Sequence, residues 1–427
     1  MSRHRLIPIL LIPGALAACA ADEGDPPAQI AAAIESPGMT IVDLDREHVS
    51  GDVWHHSFTL RIGDAPNAVL RLHRVVREKA PWIPAKTSAA ALLMHGDFSS
   101  FASNFAPVLV DPAAAEGMAV DLARRGLDVW GLDRRWAVAP EDADLSDFGG
   151  MTLEQELDDI DTALAVIRTL GGGRPHLVGF SRGGEVAYAY AARDGARPAG
   201  RRAIRGLVPL DVWGAIPPED TDGRAWVCEG AAIEYELVAE GVVDSENSFI
   251  IAVGELALGD PDGASPFFDG LSNREAMLRI AGQTYNGFTV TPFYHLAAPF
   301  LDDSGNPTGL RESSEVDIAR WFAEGAPHQS MIEAADTDAA WCDDGSGPPV
   351  DLSRVKAPLF YLGAAGGFGD HGLYTTTLVG STDVTTQVIR RFGPDGAFED
   401  FGHGDLLFAR DARDLAWAPL AQWLVTH

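Results

Sequence analysis

Residues 174–194 read Arg174-Pro175-His176-Leu177-Val178, then Gly179-Phe180-Ser181-Arg182-Gly183-Gly184, then Glu185-Val186-Ala187-Tyr188-Ala189-Tyr190-Ala191-Ala192-Arg193-Asp194. A short apolar run of strand type passes straight into a helical pattern, with Ser181 at the junction and a glycine two residues away on each side. Such a turn holds its central residue in a strained conformation and brings the flanking chains so close that side chains at 179 and 183 would clash. It lifts the serine hydroxyl out at the strand's carboxyl end and aims the first helical amides, that of Arg182 included, at whatever the serine attacks. G-x-S-x-G recurs by chance in many chains. The strand before it and the helix after it are what make this one a nucleophile elbow.

On both sides of the elbow, apolar runs alternate with helical patterns. Candidate strands are 89–94, 127–132, 176–180, 206–210, 358–362 and 386–392, and helical patterns cover 115–125 and 153–170. Short apolar strands separated by helices predict a mostly parallel sheet covered on both faces, with ligands at the strands' carboxyl ends. Ahead of them, 53–62 and 68–76 are joined by Gly63-Asp64-Ala65-Pro66-Asn67 and read as an opening antiparallel hairpin. The interval 215–354 breaks the alternation over far more residues than a crossover needs. It is expected to be a cap inserted between two strands and lying over the serine, with Phe267-Phe268 and Phe293-Tyr294 among its aromatic residues. A separate downstream domain is the alternative, but the strands near 358 and 386 must still complete the sheet.

A serine hydroxyl is a weak nucleophile at neutral pH and needs a base, which in turn needs an acid to fix its tautomer. With the chain order serine, acid, histidine, the histidine should follow the last strand and precede a final helix. Of the chain's 12 histidines, His403 in Phe401-Gly402-His403-Gly404-Asp405 meets both conditions, whereas His371 falls one connection too early. The oxyanion hole needs two backbone donors. Arg182 supplies one, and the loop Met94-His95-Gly96-Asp97-Phe98 supplies the other through the Asp97 amide. The Asp97 carboxylate would repel a developing oxyanion, so it must point elsewhere, to a cap residue or water.

These segments resemble the α/β-hydrolase superfamily, and specifically its acid-lipase-like branch of serine ester hydrolases. His95-Gly96 followed by Ser103-Asn104-Phe105 resembles the branch's HG loop, and Gly126-Leu127-Asp128-Val129-Trp130 resembles its Gly-aromatic-Asp-Val-Trp strand. Gly179 to Gly183 matches the elbow, and His403-Gly404-Asp405 with Asp411-Ala412 resembles the closing His-x-Asp and Asp-Ala. The likeness covers about 88–213 and 356–427. It implies an α/β-hydrolase fold, a mostly parallel eight-stranded sheet with a large cap inserted between strands 6 and 7. The implied division is a catalytic domain at 39–214 and 355–427 with a cap at 215–354. It also implies an esterase or lipase with Ser181 as nucleophile and His403 as base, using no cofactor. Two stretches depart from the pattern. The fourth strand ends in Asp133-Arg134-Arg135-Trp136, where the branch usually has Asn and a glycine. After the seventh strand comes Gly363-Ala364-Ala365-Gly366-Gly367, with Asp370 as its first carboxylate. Asp370 occupies the usual station of the acid and is favoured. Asp211, directly after the sixth strand in Leu210-Asp211-Val212-Trp213, is the alternative.

The amino-terminal 18 residues hold Arg3 and Arg5, no acid, and an apolar run too short to span a bilayer, and they read as a secretory signal. Their end, Leu16-Ala17-Ala18-Cys19, looks like a bacterial lipobox, with Cys19 as the lipidated first mature residue. Residues 19–38 then form a tether with little structure. Export places Cys228 and Cys342, the pair remaining of 3 cysteines, in an oxidising compartment and predicts one disulfide. No Cys and His residues have zinc spacing, so no metal is expected. A formal net charge of −30 makes nucleic acid and anionic membranes poor partners. The expectation is an exported, lipid-anchored enzyme of the bacterial cell envelope acting on small-molecule or lipid-like esters, with oligomeric state open. Peptidase or acyltransferase chemistry on the same residues is a further possibility. A lipoprotein that binds an apolar ligand with a decayed site competes from another class.

Overall fold

The β-branched and apolar runs do form strands. The computed structural model describes residues 26–36, 38–287, 291–342 and 344–427, so the signal peptide and Cys19 lie outside the described residues. The strands are β1 (Thr40–Ser50), β2 (Val53–Arg61), β3 (Val69–Ala80), β4 (Ile83–Pro84), β5 (Ala90–Met94), β6 (Asp128–Asp133), β7 (His176–Phe180), β8 (Leu207–Leu210), β9 (Pro299–Leu301), β10 (Pro307–Leu310), β11 (Leu359–Ala364) and β12 (Val384–Ile389). One ten-stranded sheet runs β1-β2-β3-β6-β5-β7-β8-β11-β12, with β4 paired to β3, while β9 and β10 pair separately. From β6 to β12 the main sheet is parallel, and β1, β2 and β3 join it antiparallel.

The sheet therefore has two strands more than the eight expected. Strand β1 was hidden by its composition, since Thr-Ile-Val-Asp-Leu-Asp-Arg-Glu-His-Val-Ser is charged and lies half out of the core. Charge of this kind is what blunts an edge strand against pairing with other chains.

The helices are α1 (Pro26–Ile34), α2 (Phe101–Phe105), α3 (Gly117–Arg124), α4 (Arg135–Val138), α5 (Leu153–Thr169), α6 (Arg182–Gly195), α7 (Thr221–Ala239), α8 (Ser248–Gly259), α9 (Asn273–Gly282), α10 (Glu315–Ala323), α11 (Met331–Cys342), α12 (His371–Leu378), α13 (Asp405–Phe408) and α14 (Ala418–Thr426). Helices α5 and α6 cover one face of the sheet, where Trp130, Tyr188 and Leu177 are buried. Helices α3 and α14 cover the other, over Val129, Val178 and Phe360. The expectation of an unstructured tether fails at α1. Its Pro-Pro-Ala-Gln-Ile-Ala-Ala-Ala-Ile sequence suits a proline-started helix, and Ile34 is buried while Ile30 packs on the α5 side.

Between β8 and β11 the chain adds α7 to α11 and the β9–β10 hairpin. Helices α8, α9 and α10 gather around their own apolar cluster of Val253, Met277, Leu278, Ile318 and Phe322. Helix α7 packs along α11, and a Cys228–Cys342 disulfide joins the two.

Candidate active site

Ser181 leaves β7 at φ 54° and ψ −133°, a conformation L-residues rarely adopt, and α6 begins at the next residue. A Cβ on Gly179 would lie 2.2 Å from the Gly183 carbonyl oxygen, and one on Gly183 would lie 2.4 Å from that of His95. Glycine at both positions is what lets β7, α6 and the loop after β5 meet around the serine.

Strand β8 lies beside β7 with Phe180 opposite Leu210, so Asp211 leaves its strand level with Ser181. It too has a positive φ, 44°. Its fully buried carboxylate accepts four hydrogen bonds. His403 Nδ1 donates to Oδ2 at 2.6 Å, the Phe368 amide donates to Oδ2 at 3.1 Å, and the Ala364 and Gly369 amides each donate to Oδ1 at 2.8 Å. So held, the carboxylate fixes the imidazole tautomer, with the proton on Nδ1 and Nε2 left free to accept one.

Asp370, the favoured acid, is elsewhere. Its side chain is 60% exposed, and both of its carboxylate oxygens lie 2.8 Å from Arg390 Nη2. The loop after β11 sends no carboxylate to the histidine and instead turns its Phe368 and Gly369 amides onto the Asp211 carboxylate. A Cβ on Gly367 would fall 2.0 Å from Asp211 Oδ2. Gly367 is therefore the space into which the neighbouring strand's carboxylate fits.

His403 is buried among rings. Phe180 stacks on it at 4.5 Å between centroids, Phe368 meets it edge-on at 5.6 Å, and Tyr294 lies at 5.5 Å. Its loop is hydrogen-bonded to the inserted segment, the His403 and Gly404 amides donating to the His295 and Leu296 carbonyls. Asp405 closes the same seam. It accepts from the Gly402 amide at 2.7 Å, the Ala298 amide at 2.9 Å and the Ser313 hydroxyl at 2.5 Å. Burial pushes its carboxyl up to about 7.

The loop after β5 crosses the elbow so closely that a Cβ on Gly96 would lie 3.0 Å from Ser181 Cβ. Among the described residues the Asp97 amide has no acceptor, and the Arg182 amide, first in its helix, has no intrahelical one. The Asp97 carboxylate is held by Arg182 Nε at 2.6 Å and Gln329 Nε2 at 2.5 Å. Arg182 also reaches Asp338 at 2.8 Å and lies 3.6 Å from Glu185, whose carboxyl burial pushes well above the usual range. Gln329 and Asp338 come from the interval 215–354, Gln329 holding the Asp97 carboxylate and Asp338 holding Arg182. The sequence pointed Asp97 toward a cap residue or water but did not single out either residue.

Ser181, His403, Gly96 and Asp97 open onto one cavity of about 360 Å³. Its apolar wall joins Phe180, Val212 and Trp213 to Trp226, Ile250, Leu296, Trp321 and Phe322 of the inserted interval. Tyr294 lines it as well, but Phe267 and Phe268 instead pack against Phe249, and Phe267 is exposed.

No family model matches the chain, and no curated protein matches it in sequence. Among solved structures, a candidate lipase from Sulfolobus solfataricus superposes with a TM-score of 0.62 at 16% identity, covering 90% of this chain and 99% of that one. The chain has the α/β-hydrolase fold. Looser superpositions include the monoacylglycerol lipase of Paleococcus ferrophilus, with TM-score 0.41, 15% identity and coverage of 80% of this chain and 96% of that one. Another is a thermostable carboxyl esterase from Bacillus coagulans, with TM-score 0.42, 13% identity and coverage of 87% and 97%.

Proposed function

We propose that this protein is an exported, membrane-anchored serine hydrolase that cleaves carboxylic esters through an acyl-enzyme, with an apolar group of the substrate in the cavity beside Ser181. The observation that carries the reading is the buried His403–Asp211 pair, 2.6 Å apart, opening with the strained Ser181 onto one cavity. As His403 Nε2 takes its proton, Ser181 Oγ bonds to the ester carbon. The carbonyl oxygen becomes an oxyanion facing the Arg182 and Asp97 amides, and the C–O bond to the alcohol then breaks as His403 returns the proton to the leaving oxygen. Water, deprotonated by the same imidazole, releases the acid and restores the serine.

A fluorophosphonate probe tests the reading, since only an activated serine reacts with it. The wild type should be labelled and should turn over p-nitrophenyl esters, and Ser181→Ala should do neither while remaining folded. An unlabelled wild type with no turnover across acyl chain lengths would favour a ligand-binding protein with a decayed site. Anchoring rests on Leu16-Ala17-Ala18-Cys19. Cys19→Ser should release active protein from the membrane fraction, and a variant that still sediments with membranes would overturn the lipobox reading.

A further inference from the structure

We infer that Arg134 is a positioning residue for the oxyanion hole: its guanidinium grips the Gly96–Asp97 peptide unit and so aims the Asp97 amide at the developing oxyanion. The inference rests on the ester-hydrolase reading above. It arises where the sequence departs from the family pattern, at the end of β6.

Arg134 is fully buried, a costly place for a charge unless it is paired and hydrogen-bonded. Its partners divide between two tasks. Nη1 donates to Glu333 Oε1 at 3.0 Å, and Trp136 Nε1 holds the other oxygen of Glu333 at 2.7 Å. Nη2 donates to the carbonyl oxygens of both His95 and Gly96 at 2.9 Å. His95 adds a further donor. Burial, followed by the charge of Arg134, takes its pKa down to about 3, so the ring is neutral. Its Nε2 faces the Arg134 amide at 3.4 Å, which leaves the single proton on Nδ1, 3.0 Å from the Gly96 oxygen.

The Gly96 carbonyl therefore takes two donors, one of them charged, and it shares a planar peptide unit with the Asp97 N–H. In a trans unit the oxygen and the N–H point in opposite directions, so fixing one fixes the other. A donor on the oxygen also polarises the unit and strengthens its N–H as a donor. The preceding peptide is pinned in the same way, by the Gly96 amide donating to Asn104 Oδ1 at 2.9 Å. The Asp97 amide is left without an acceptor among the described residues. A buried arginine that served only to balance charge would need its carboxylates, Glu333 and, at 3.9 Å, Glu156, and it would not need both carbonyls of the loop.

The test measures turnover per active serine in the full-length protein, with sites counted by fluorophosphonate titration to its end point. Arg134→Met should lower kcat per titrated site by about 10- to 100-fold, below the full loss of one oxyanion donor, with KM changed less than about threefold. Arg134→Lys, which keeps the charge without the fork, should fall between Met and wild type. Affinity for a trifluoromethyl ketone, which forms a tetrahedral oxyanion adduct on the serine, should weaken in parallel with kcat. If Arg134→Met does not fold, the lysine variant and its inhibitor affinity carry the comparison. Fewer titratable sites with unchanged kcat per site would make Arg134 a stability residue and overturn the inference. Wild-type turnover in Ser181→Ala would instead overturn the hydrolase reading itself.

Discussion

Asp211 and Asp370 show how far a residue's role is set by its neighbours. Both are aspartates in the connections that follow adjacent parallel strands, Asp211 directly after β8 and Asp370 at the start of α12, yet one takes four hydrogen bonds in a buried site and the other an exposed ion pair. Asp211→Asn should reduce kcat by about three to four orders of magnitude, because an amide donating to Nδ1 favours the wrong imidazole tautomer. Asp370→Asn removes an interaction worth about 1 kcal/mol or less and should leave kcat within about threefold. Side-by-side kinetics decide, and a large loss confined to Asp370→Asn would return the acid to β11. Ser181 and His403 were legible because a strained turn and a position after the last strand leave marks in sequence. The choice of acid left no such mark. It depends on which strand lies next to β7, and the signal available was the absence of a side chain at Gly367, which leaves room for a carboxylate from elsewhere.

At the scale of elements, the inner parallel strands were found within a few residues because full burial gives them apolar runs, as in Ala-Ala-Leu-Leu-Met of β5. The edge strand β12, Val-Thr-Thr-Gln-Val-Ile, is instead exposed over its first half. The inserted interval was recognised by its length, and its helix near 274–281, which is α9, by its pattern. The rest of its order was not, because helices such as α7 and α8 bury only a small part of their surface. In α8, Ser-Phe-Ile-Ile-Ala-Val-Gly-Glu-Leu-Ala-Leu-Gly, only Val253 and Gly254 are buried. Helix α7 likewise buries few residues, Gly223, Val227 and Ala231 among them, so its attachment to α11 leans on the disulfide. The bond spans a sequence separation of 114 residues, a closure for which chain entropy allows up to about 4–5 kcal/mol. The double variant Cys228→Ser/Cys342→Ser should therefore lose about 2–5 kcal/mol in denaturant unfolding. Hydrogen exchange should rise first in α7, and an unchanged unfolding midpoint would show that helix packing alone holds the pair.

Across the whole molecule, the excess of acid has two different physical consequences. Exposed carboxylates give the chain a formal net charge of −30 and repel one another and other anions. Buried ones make its stability depend on pH, and Asp405 is the most easily isolated of them. Its three donors come from Gly402, Ala298 and Ser313, so it ties the His403 loop to the inserted interval, yet burial outweighs them and carries its carboxyl up to about 7. In the unfolded chain the same group titrates near about 3.9. Because the folded state binds the proton more tightly, its stabilising contribution is complete below about pH 4, is lost as pH rises toward 7, and is constant above that. Asp405→Asn keeps the shape and removes the titration: its carbonyl oxygen can still accept from the two amides, and its NH2 can donate to the Ser313 hydroxyl. The fall in Tm between pH 5 and pH 7.5 should therefore be smaller in Asp405→Asn than in the wild type. The comparison cancels every other carboxyl that behaves alike in both proteins. Parallel Tm profiles across that range would show that Asp405 is already ionised at pH 5, with its three donors outweighing burial.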